Sequence, residues 1–157
     1  RMTAAGSPAA GRIVSVNTSL KKGQLKTPVA SADLVAGQGV SGDAHQGFAH
    51  RQVSLLMIED IDAQRARLDH PAAAAIGPGS YAENLTTRGI DLGALRLGDE
   101  LAVGAAVRLR VSQIGKECHT KCAVYRITGD CIMPVRGIFC EVLAGGTVRP
   151  GDAVEKR

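Results

Sequence analysis

The sequence predicts a mainly β fold, a β-barrel with a few helices. Short apolar segments that alternate with polar residues and are rich in β-branched side chains recur along the chain, with glycine turns between them. The 19 glycines in 157 residues allow many tight turns. Apolar residues follow a clear helical spacing in a single longer segment. A chain of this length can bury a substantial core as one domain.

The first half of the chain predicts two strands, a loop and a helix. Residues 11–20 alternate and form the opening strand, and residues 33–40 form a second short strand. Residues 41–52 are polar and punctuated by glycine, which is typical of a loop that carries function. A helix is predicted near residues 57–68, preceded by a short strand, with acidic residues near its start and Pro71 after its end.

The second half predicts a weak helical turn and then short strands. The turn falls in the alanine run before Ile76, and the strands follow from Asn84 onward. Gly-Asp pairs at 98–99 and 151–152 precede two of these strands and indicate turns. We therefore predict a flexible N-terminal tail over residues 1–10 and a single domain over residues 11–157.

Composition excludes several classes of partner. The net charge is +4, and the chain has two Tyr, two Phe and no Trp. Single-stranded nucleic acid needs aromatic stacking platforms and duplexes need a focused basic patch, so we expect no nucleic-acid binding. No apolar run approaches the roughly 20 residues of a membrane helix, and no secretory signal is evident, so we expect a cytoplasmic protein without membrane contact. A mildly positive pocket for a phosphate-bearing small ligand fits the charge.

All four cysteines, Cys118, Cys122, Cys131 and Cys140, lie within residues 115–140. Lys116, His119 and Lys121 flank the first two thiols and favour the reactive thiolate, whereas Glu117 opposes this effect. Cys140 lies in an apolar, strand-like run, which predicts a buried core residue. The other three leave a sulfur-handling site, a disulfide and a zinc site open. Zinc ligands would be Cys118, Cys122, His119 and Cys131.

Three blocks of the sequence stand out together: GVSGDAHQGFAHRQVSLL (39–56), YAENLTTRGIDL (81–92) and a third that begins VSQIGKECHTKC at residue 111. In their order and spacing they resemble the MOSC family, the domain at the C-terminus of molybdenum cofactor sulfurases. The resemblance implies a MOSC-type β-barrel that binds the pterin form of the molybdenum cofactor, or carries sulfur for it, through a cysteine. It places Cys118 at the position of the metal-binding cysteine, with Cys122 as the second candidate.

The same resemblance implies a cofactor-binding set. Arg51 can bind a phosphate as a bidentate fork, and the polar residues offer hydrogen bonds to a heterocycle. The full set is Asp43, His45, His50, Arg51, Gln52, Glu83, Asn84, Thr86, Lys116 and His119. A structural role is an open alternative for three of them: Asp43 can cap a turn, and Glu83 and Asn84 can satisfy buried backbone groups in a barrel corner.

Three functions stay open at this point. The first is a cofactor-binding or sulfur-carrier protein, which needs a sulfur donor or a molybdoenzyme acceptor as partner. The second is a molybdenum-dependent reductase of N-hydroxylated compounds, and the third is a non-catalytic barrel with structural zinc. The chain is too short for the pyridoxal-phosphate domain of full-length cofactor sulfurases, so no Schiff-base lysine is assigned.

Overall fold

The computed structural model describes residues 9–21, 25–44, 46–47, 49, 51–67, 71–115 and 136–157. The described strands are β1 (Ala10–Thr18), β2 (Thr27–Val29), β3 (Ala32–Val35), β4 (Gly39–Val40), β5 (Val53–Met57), β6 (Leu85–Arg88), β7 (Glu100–Val103), β8 (Val107–Ile114), β9 (Ile138–Ala144), β10 (Gly146–Val148) and β11 (Ala153–Lys156). The described helices are α1 (Ile58–Arg67) and two 3₁₀ turns, η1 (Pro71–Ala75) and η2 (Leu92–Ala94). The predicted mainly β fold is confirmed.

Seven strands close into a barrel in the order β11-β7-β8-β9-β5-β6-β1, with β1 returning to β11. β5 and β6 are parallel and the other neighbours in the barrel are antiparallel. A parallel pair needs a crossover connection, and α1 with η1 supplies it here. β2 extends the sheet beyond β1, and a second sheet of order β10-β3-β4 lies beside the barrel.

Alternating side chains of the strands fill the barrel interior. In β5, Val53 and Leu55 belong to this core, and in β9 Ile138, Cys140 and Val142 do so. Successive side chains of a strand point to opposite faces, so the residues between them face outward. The period-2 pattern that predicted these strands is therefore the pattern of the barrel core.

A second apolar cluster covers part of the outer barrel surface. It comprises Leu56, Ile58, Ile61, Ile76, Tyr81 and Phe139. Leu56 and Phe139 are outward-facing residues of β5 and β9, while Ile58 and Ile61 belong to α1. Helix α1 therefore buries an apolar stripe against the barrel, and its acidic first turn and basic last turn both complement the helix dipole.

One sequence prediction differs from the structure. Residues 33–40 were expected to form a single strand, but they form a hairpin of β3 and β4, with Leu34 paired to Val40 and Val35 to Gly39. Gly37 in the turn has φ 73°, a conformation that glycine adopts without the steric cost of a side chain. The predicted strand over 11–20, the helix near 57–68 with its preceding strand, and the turn before Ile76 are confirmed. The flexibility predicted for the tail stays a prediction, since residues 1–8 lie outside the described residues.

Candidate functional site

Arg51 lies exposed against the outer barrel surface just before β5. Its Nε donates to Gln113 Oε1 at 3.2 Å, and its guanidinium carbon lies 5.9 Å from the centroid of the Phe139 ring. Phe139 pairs with Ser54 in β5 and with Gln113 in β8, so the register of three strands brings these side chains together. The guanidinium is held by a hydrogen bond and a cation–π contact. It makes no ion pair with a carboxylate among the described residues.

Gln113 links Arg51 to both ends of the cysteine-bearing segment. Its Nε2 donates to the carbonyl of Gly115 at 2.8 Å, and the amide of Gly115 donates to the carbonyl of Gly137 at 2.8 Å. Residues 116–136 connect these two glycines. The predicted anion-binding arginine is therefore two side-chain hydrogen bonds away from the backbone that leads into the predicted thiol site.

Several predicted site residues lie outside the described residues. These are His45, His50, Lys116, Cys118, His119 and Cys122, together with Cys131. Their assigned roles stay predictions. Within the described part of the chain, no group of three or more His, Cys, Asp or Glu side chains could hold a metal ion.

Cys140 is a buried core residue, as its apolar neighbours predicted. Its side chain is fully buried and reduced, and it belongs to the barrel core. Burial raises the pKa of its thiol far above the ordinary value, and the charge of Glu141 adds to that effect. A neutral, buried thiol is a poor nucleophile and a poor metal ligand.

Asp43 forms a buried ion pair with Lys26. Its oxygens lie 2.8 and 3.0 Å from Lys26 Nζ, and both side chains are fully buried. Oδ1 also accepts from the amide of Ser19 at 2.9 Å. The carboxylate therefore fastens the start of the 41–52 loop to the end of β1. Lys26 is a partner that sequence analysis missed, because it lies 17 positions from Asp43 and no periodic pattern relates the two.

Glu83, Asn84 and Thr86 form part of a buried polar row on the outer barrel surface. The row also includes Asn17 and Ser54, and all five side chains are less than about 5% exposed. Glu83 Oε2 accepts from Thr86 Oγ1 at 2.6 Å and from the Gly79 amide at 2.9 Å. Burial raises the pKa of the Glu83 carboxyl above its ordinary value of 4.5, against the lowering effect of its hydrogen bonds to Gly79, Thr86 and Tyr81.

Asn84 joins β1 to β5 through its side chain. Oδ1 accepts from the amide and the hydroxyl of Ser54 at 3.0 and 3.1 Å, and Nδ2 donates to the carbonyl of Asn17 at 3.2 Å. Its own amide and carbonyl bond to the Ser54 carbonyl and the Asn17 amide. The structural alternative for Glu83 and Asn84, satisfaction of buried backbone groups at a barrel corner, is present in the structure. Direct contact of either residue with a ligand stays a prediction.

Gln52 is also engaged with the barrel backbone. It is 4% exposed, its Oε1 accepts from the Val142 amide at 3.0 Å, and its Nε2 donates to the Ala49 carbonyl at 3.2 Å. This side chain therefore fixes the end of the 41–52 loop to β9. Asp43 and Gln52 hold the two ends of that loop, and Arg51 is the exposed cation it presents.

The polar row lies next to the place where Arg51 contacts the barrel. Ser54, the last residue of the row on β5, is the register partner of Phe139, over which Arg51 lies. Gln113, Ser54 and Asn17 were not selected from the sequence. In the sequence, each of them is only a polar residue next to an apolar residue of a strand. Ordinary strands with one face in solvent show the same pattern, so it does not identify a site.

A polar cavity of about 280 Å³ lies at the second sheet, and no predicted site residue lines it. It is lined by Thr18, Val29, Ser31, Ala32, Asp33 and Ser41. Asp33 accepts a hydrogen bond from Thr147 at 2.8 Å, so part of its polar surface is used within the protein.

The MOSC domain family model matches residues 42–155, which include nearly all of the 41–52 loop, the polar row except Asn17, and the cysteine segment. The chain belongs to the MOSC family. MOSC domains are associated with molybdenum-cofactor binding or sulfurase-type function. Comparison with curated protein sequences gives no significant match.

Solved structures similar to this MOSC domain include three bacterial proteins. YuaD from Bacillus subtilis is 20% identical, with a TM-score of 0.77, over 94% of this chain and 95% of that chain. YiiM from Geobacillus stearothermophilus is 22% identical, with a TM-score of 0.69, over 94% and 75%. YiiM from Escherichia coli is 20% identical, with a TM-score of 0.70, over 94% and 69%. At these identities the similarity establishes a shared fold.

The longest described helix, α1, has 10 residues. None of the described helices has the length and apolarity of a membrane-spanning segment.

Proposed function

We propose that this MOSC domain binds the pterin form of the molybdenum cofactor, or carries sulfur for it, with Cys118 or Cys122 as the working thiol. The observation that carries the proposal is the Arg51–Gln113–Gly115 chain of hydrogen bonds. It ties an exposed, oriented guanidinium to the backbone from which the cysteine-bearing segment departs. Such a ligand has two distinct ends. Its phosphate would bind to Arg51, and its thiophilic metal or sulfur would bind to a thiolate of that segment.

The residues present fit a phosphate-bearing ligand at Arg51. Only Nε of the guanidinium has a hydrogen-bonding partner among the described residues, and no described carboxylate forms an ion pair with it. No described residue uses the two terminal nitrogens, and we propose them as the donors to an anion. The hydrogen bond to Gln113 and the ring of Phe139 restrict the side chain, which lowers the entropy lost when a ligand binds.

The remaining residues have distinct parts in this proposal. Asp43 and Gln52 hold the loop that presents Arg51, and Glu83, Asn84 and Thr86 hold the adjacent wall through the buried polar row. His45, His50, Lys116 and His119 are proposed to contribute to the cofactor pocket, as the family resemblance implies. When bound, the cofactor would supply a thiophilic metal to the thiolate. A sulfur donor or a molybdoenzyme acceptor is the proposed protein partner.

Elemental and pterin analysis of anaerobically purified protein tests the proposal. Molybdenum and oxidised pterin near one per chain support cofactor binding and justify an assay for reduction of N-hydroxylated compounds. Stoichiometric zinc without pterin, unaffected by replacement of Cys140, contradicts it in favour of a structural zinc site. If neither metal is found, the sulfur-carrier form requires a persulfide on Cys118 or Cys122, and its absence after incubation with a sulfur donor contradicts that form as well.

Two variants assign the roles. Arg51→Ala should reduce the cofactor retained per chain while leaving the reactivity of the thiols unchanged. Arg110→Ala is the matched control. Arg110 is likewise an exposed arginine on the outer barrel surface, but it already pairs with Glu141 at 3.1 Å.

Cys118→Ser should abolish molybdenum or persulfide loading in a folded protein. Full loading in that variant assigns the role to Cys122, whose serine variant must then lose it.

A further inference from the structure

Arg12 and Arg88 lie directly opposite each other on β1 and β6. They are register partners in an antiparallel pair, and both are exposed. Opposite residues of antiparallel strands place their side chains on the same face, with Cβ atoms about 4.5–5.5 Å apart. The two strands approach closely at this point: a Cβ added at Gly11 would lie only 2.2 Å from the carbonyl oxygen of Arg88. Two guanidinium groups can therefore reach one ligand from neighbouring positions.

Neither arginine has a charge partner within the described part of the chain. No ion pair or hydrogen bond joins either guanidinium to a described residue, whereas Arg108, Arg110 and Arg136 each pair with a carboxylate. Two acids lie near the pair: Glu155 on β11, two residues from Ala153, the register partner of Arg12, is ion-paired with Arg157 at 3.6 Å. Glu59 of α1 accepts through Oε2 from the amide of Gly89 at 2.8 Å. Neither carboxylate forms an ion pair with Arg12 or Arg88. Like charges directly opposite each other in a sheet are destabilising, so a bound anion would reduce the repulsion between the two arginines.

We infer that Arg12 and Arg88 together bind a phosphate group, either of a small phosphorylated molecule or of free inorganic phosphate. Guanidinium groups bind phosphate with two parallel hydrogen bonds, and two of them can contact different oxygens of one tetrahedral anion. The site is separate from the one proposed for Arg51, which lies at the other end of the barrel strands: Arg51 precedes β5, whereas Arg88 ends the parallel strand β6. The inference does not depend on cofactor binding.

The test is a calorimetric titration of the full chain with inorganic phosphate and, separately, with glycerol 3-phosphate, at constant ionic strength. The Arg51→Ala background removes the other predicted anion site. We expect Arg12→Gln and Arg88→Gln each to weaken binding about tenfold, because each removes charge-assisted hydrogen bonds. Binding of glycerol 3-phosphate at least as tight as that of phosphate identifies a phosphorylated small molecule as the ligand, and binding of phosphate alone identifies the free anion.

Arg96→Gln is the matched control. Arg96 is an exposed arginine in a turn that bonds to β8, across the barrel from the β1–β6 pair, and its variant removes the same charge. It should leave the affinity unchanged. Phosphate affinities that are equal in the Arg12→Gln, Arg88→Gln and Arg96→Gln proteins, or no binding to the Arg51→Ala protein, would overturn the inference.

A second readout separates lost binding from lost folding. Without phosphate, Arg12→Gln and Arg88→Gln should unfold at the same temperature as the parent or higher, because charge repulsion is relieved. With saturating phosphate, the parent should gain thermal stability and both variants should gain less. A parent whose unfolding temperature does not rise with phosphate contradicts the site.

Discussion

Lys26 and Asp43 form an ion pair at 2.8 Å in which both side chains are fully buried. Lys26 precedes β2 and Asp43 begins the 41–52 loop, so the pair joins two segments that follow different strands. The carboxylate also accepts from the amide of Ser19, the residue after β1. The loop that presents Arg51 is thus fixed to the barrel by a charge pair which water does not screen.

Removing one partner of this pair should strongly destabilise the protein. Lys26→Met leaves an uncompensated buried carboxylate, and Asp43→Leu leaves an uncompensated buried ammonium. Each should lower the free energy of unfolding by about 3–5 kcal/mol. The Lys26→Met/Asp43→Leu double variant should lose much less than the sum, since both charges are gone. Urea unfolding of the four proteins measures the coupling. Additive losses would show that the two charges do not depend on each other.

The raised pKa of Glu83 predicts a stability that depends on pH. The folded carboxyl holds its proton to higher pH than the unfolded one, so the folded state binds more protons in that window. The contribution of Glu83 to stability is therefore fully present below its ordinary pKa of 4.5 and is lost as the pH rises through the raised folded value. Glu83→Gln lacks this loss.

The measurement is urea unfolding of the parent and Glu83→Gln from about pH 4.5 to pH 8. The free energy of unfolding of the parent, relative to the variant, should fall with increasing pH and then level off. Thr86 donates to the same carboxyl at 2.6 Å and has no titratable group. Thr86→Ala should consequently lose stability but retain the pH dependence. A parent that gains stability over the variant as the pH rises would mean that the hydrogen bonds to Glu83 outweigh its burial.

Gln113 should control ligand binding at Arg51 without touching the ligand. Gln113→Leu removes the acceptor for Arg51 Nε and the donor to Gly115, but keeps the charge of Arg51. Cofactor retention, or the affinity for pyrophosphate, should fall about five- to tenfold, in line with the loss of a hydrogen bond to a charged group. Ser112→Ala is the control, because its hydroxyl bonds to the Phe139 carbonyl on the same strand pair. Equal binding by both variants would remove Gln113 from the site.

The β-barrel was predictable because burial alternates with the strand period. Val53 and Leu55 face the core, and so do Ile138, Cys140 and Val142, and the period-2 pattern of these runs is visible in the sequence. The hairpin of β3 and β4 was not predictable in the same way. Residues 33–40 were predicted as one short strand, whereas the turn within them depends on Gly37 adopting a positive φ, which no periodicity reveals.

The candidate site was predictable only in part, for a physical reason. Arg51 could be selected because an arginine in a polar, glycine-rich loop is a natural anion ligand. The partners that orient it lie 62 and 88 residues away, and only the register of β5, β9 and β8 brings them together. The Lys26–Asp43 ion pair could not be predicted for the same reason: the fold topology, and not the local sequence, brings the two residues together.

Thr86 and Thr87 are adjacent on β6, and the same substitution should have opposite effects at the two positions. Both are fully buried. The hydroxyl of Thr86 accepts from Asn17 Nδ2 at 3.1 Å and donates to Glu83, whereas the hydroxyl of Thr87 has no hydrogen-bonding partner in the described part of the chain. An unsatisfied buried hydroxyl costs about 1–3 kcal/mol, and replacement by a group of the same shape removes that cost.

Thr87→Val should therefore raise the free energy of unfolding by about 1 kcal/mol, while Thr86→Val should lower it by about 1–3 kcal/mol, because Asn17 and Glu83 each lose a partner. Urea unfolding of the two variants and the parent at one pH is sufficient. Thr87→Ser completes the comparison, since it keeps the hydroxyl and loses a buried methyl group, and it should cost about 1 kcal/mol. A destabilised Thr87→Val protein would mean that the Thr87 hydroxyl is satisfied in solution, with a buried water molecule between the strands as the direct candidate.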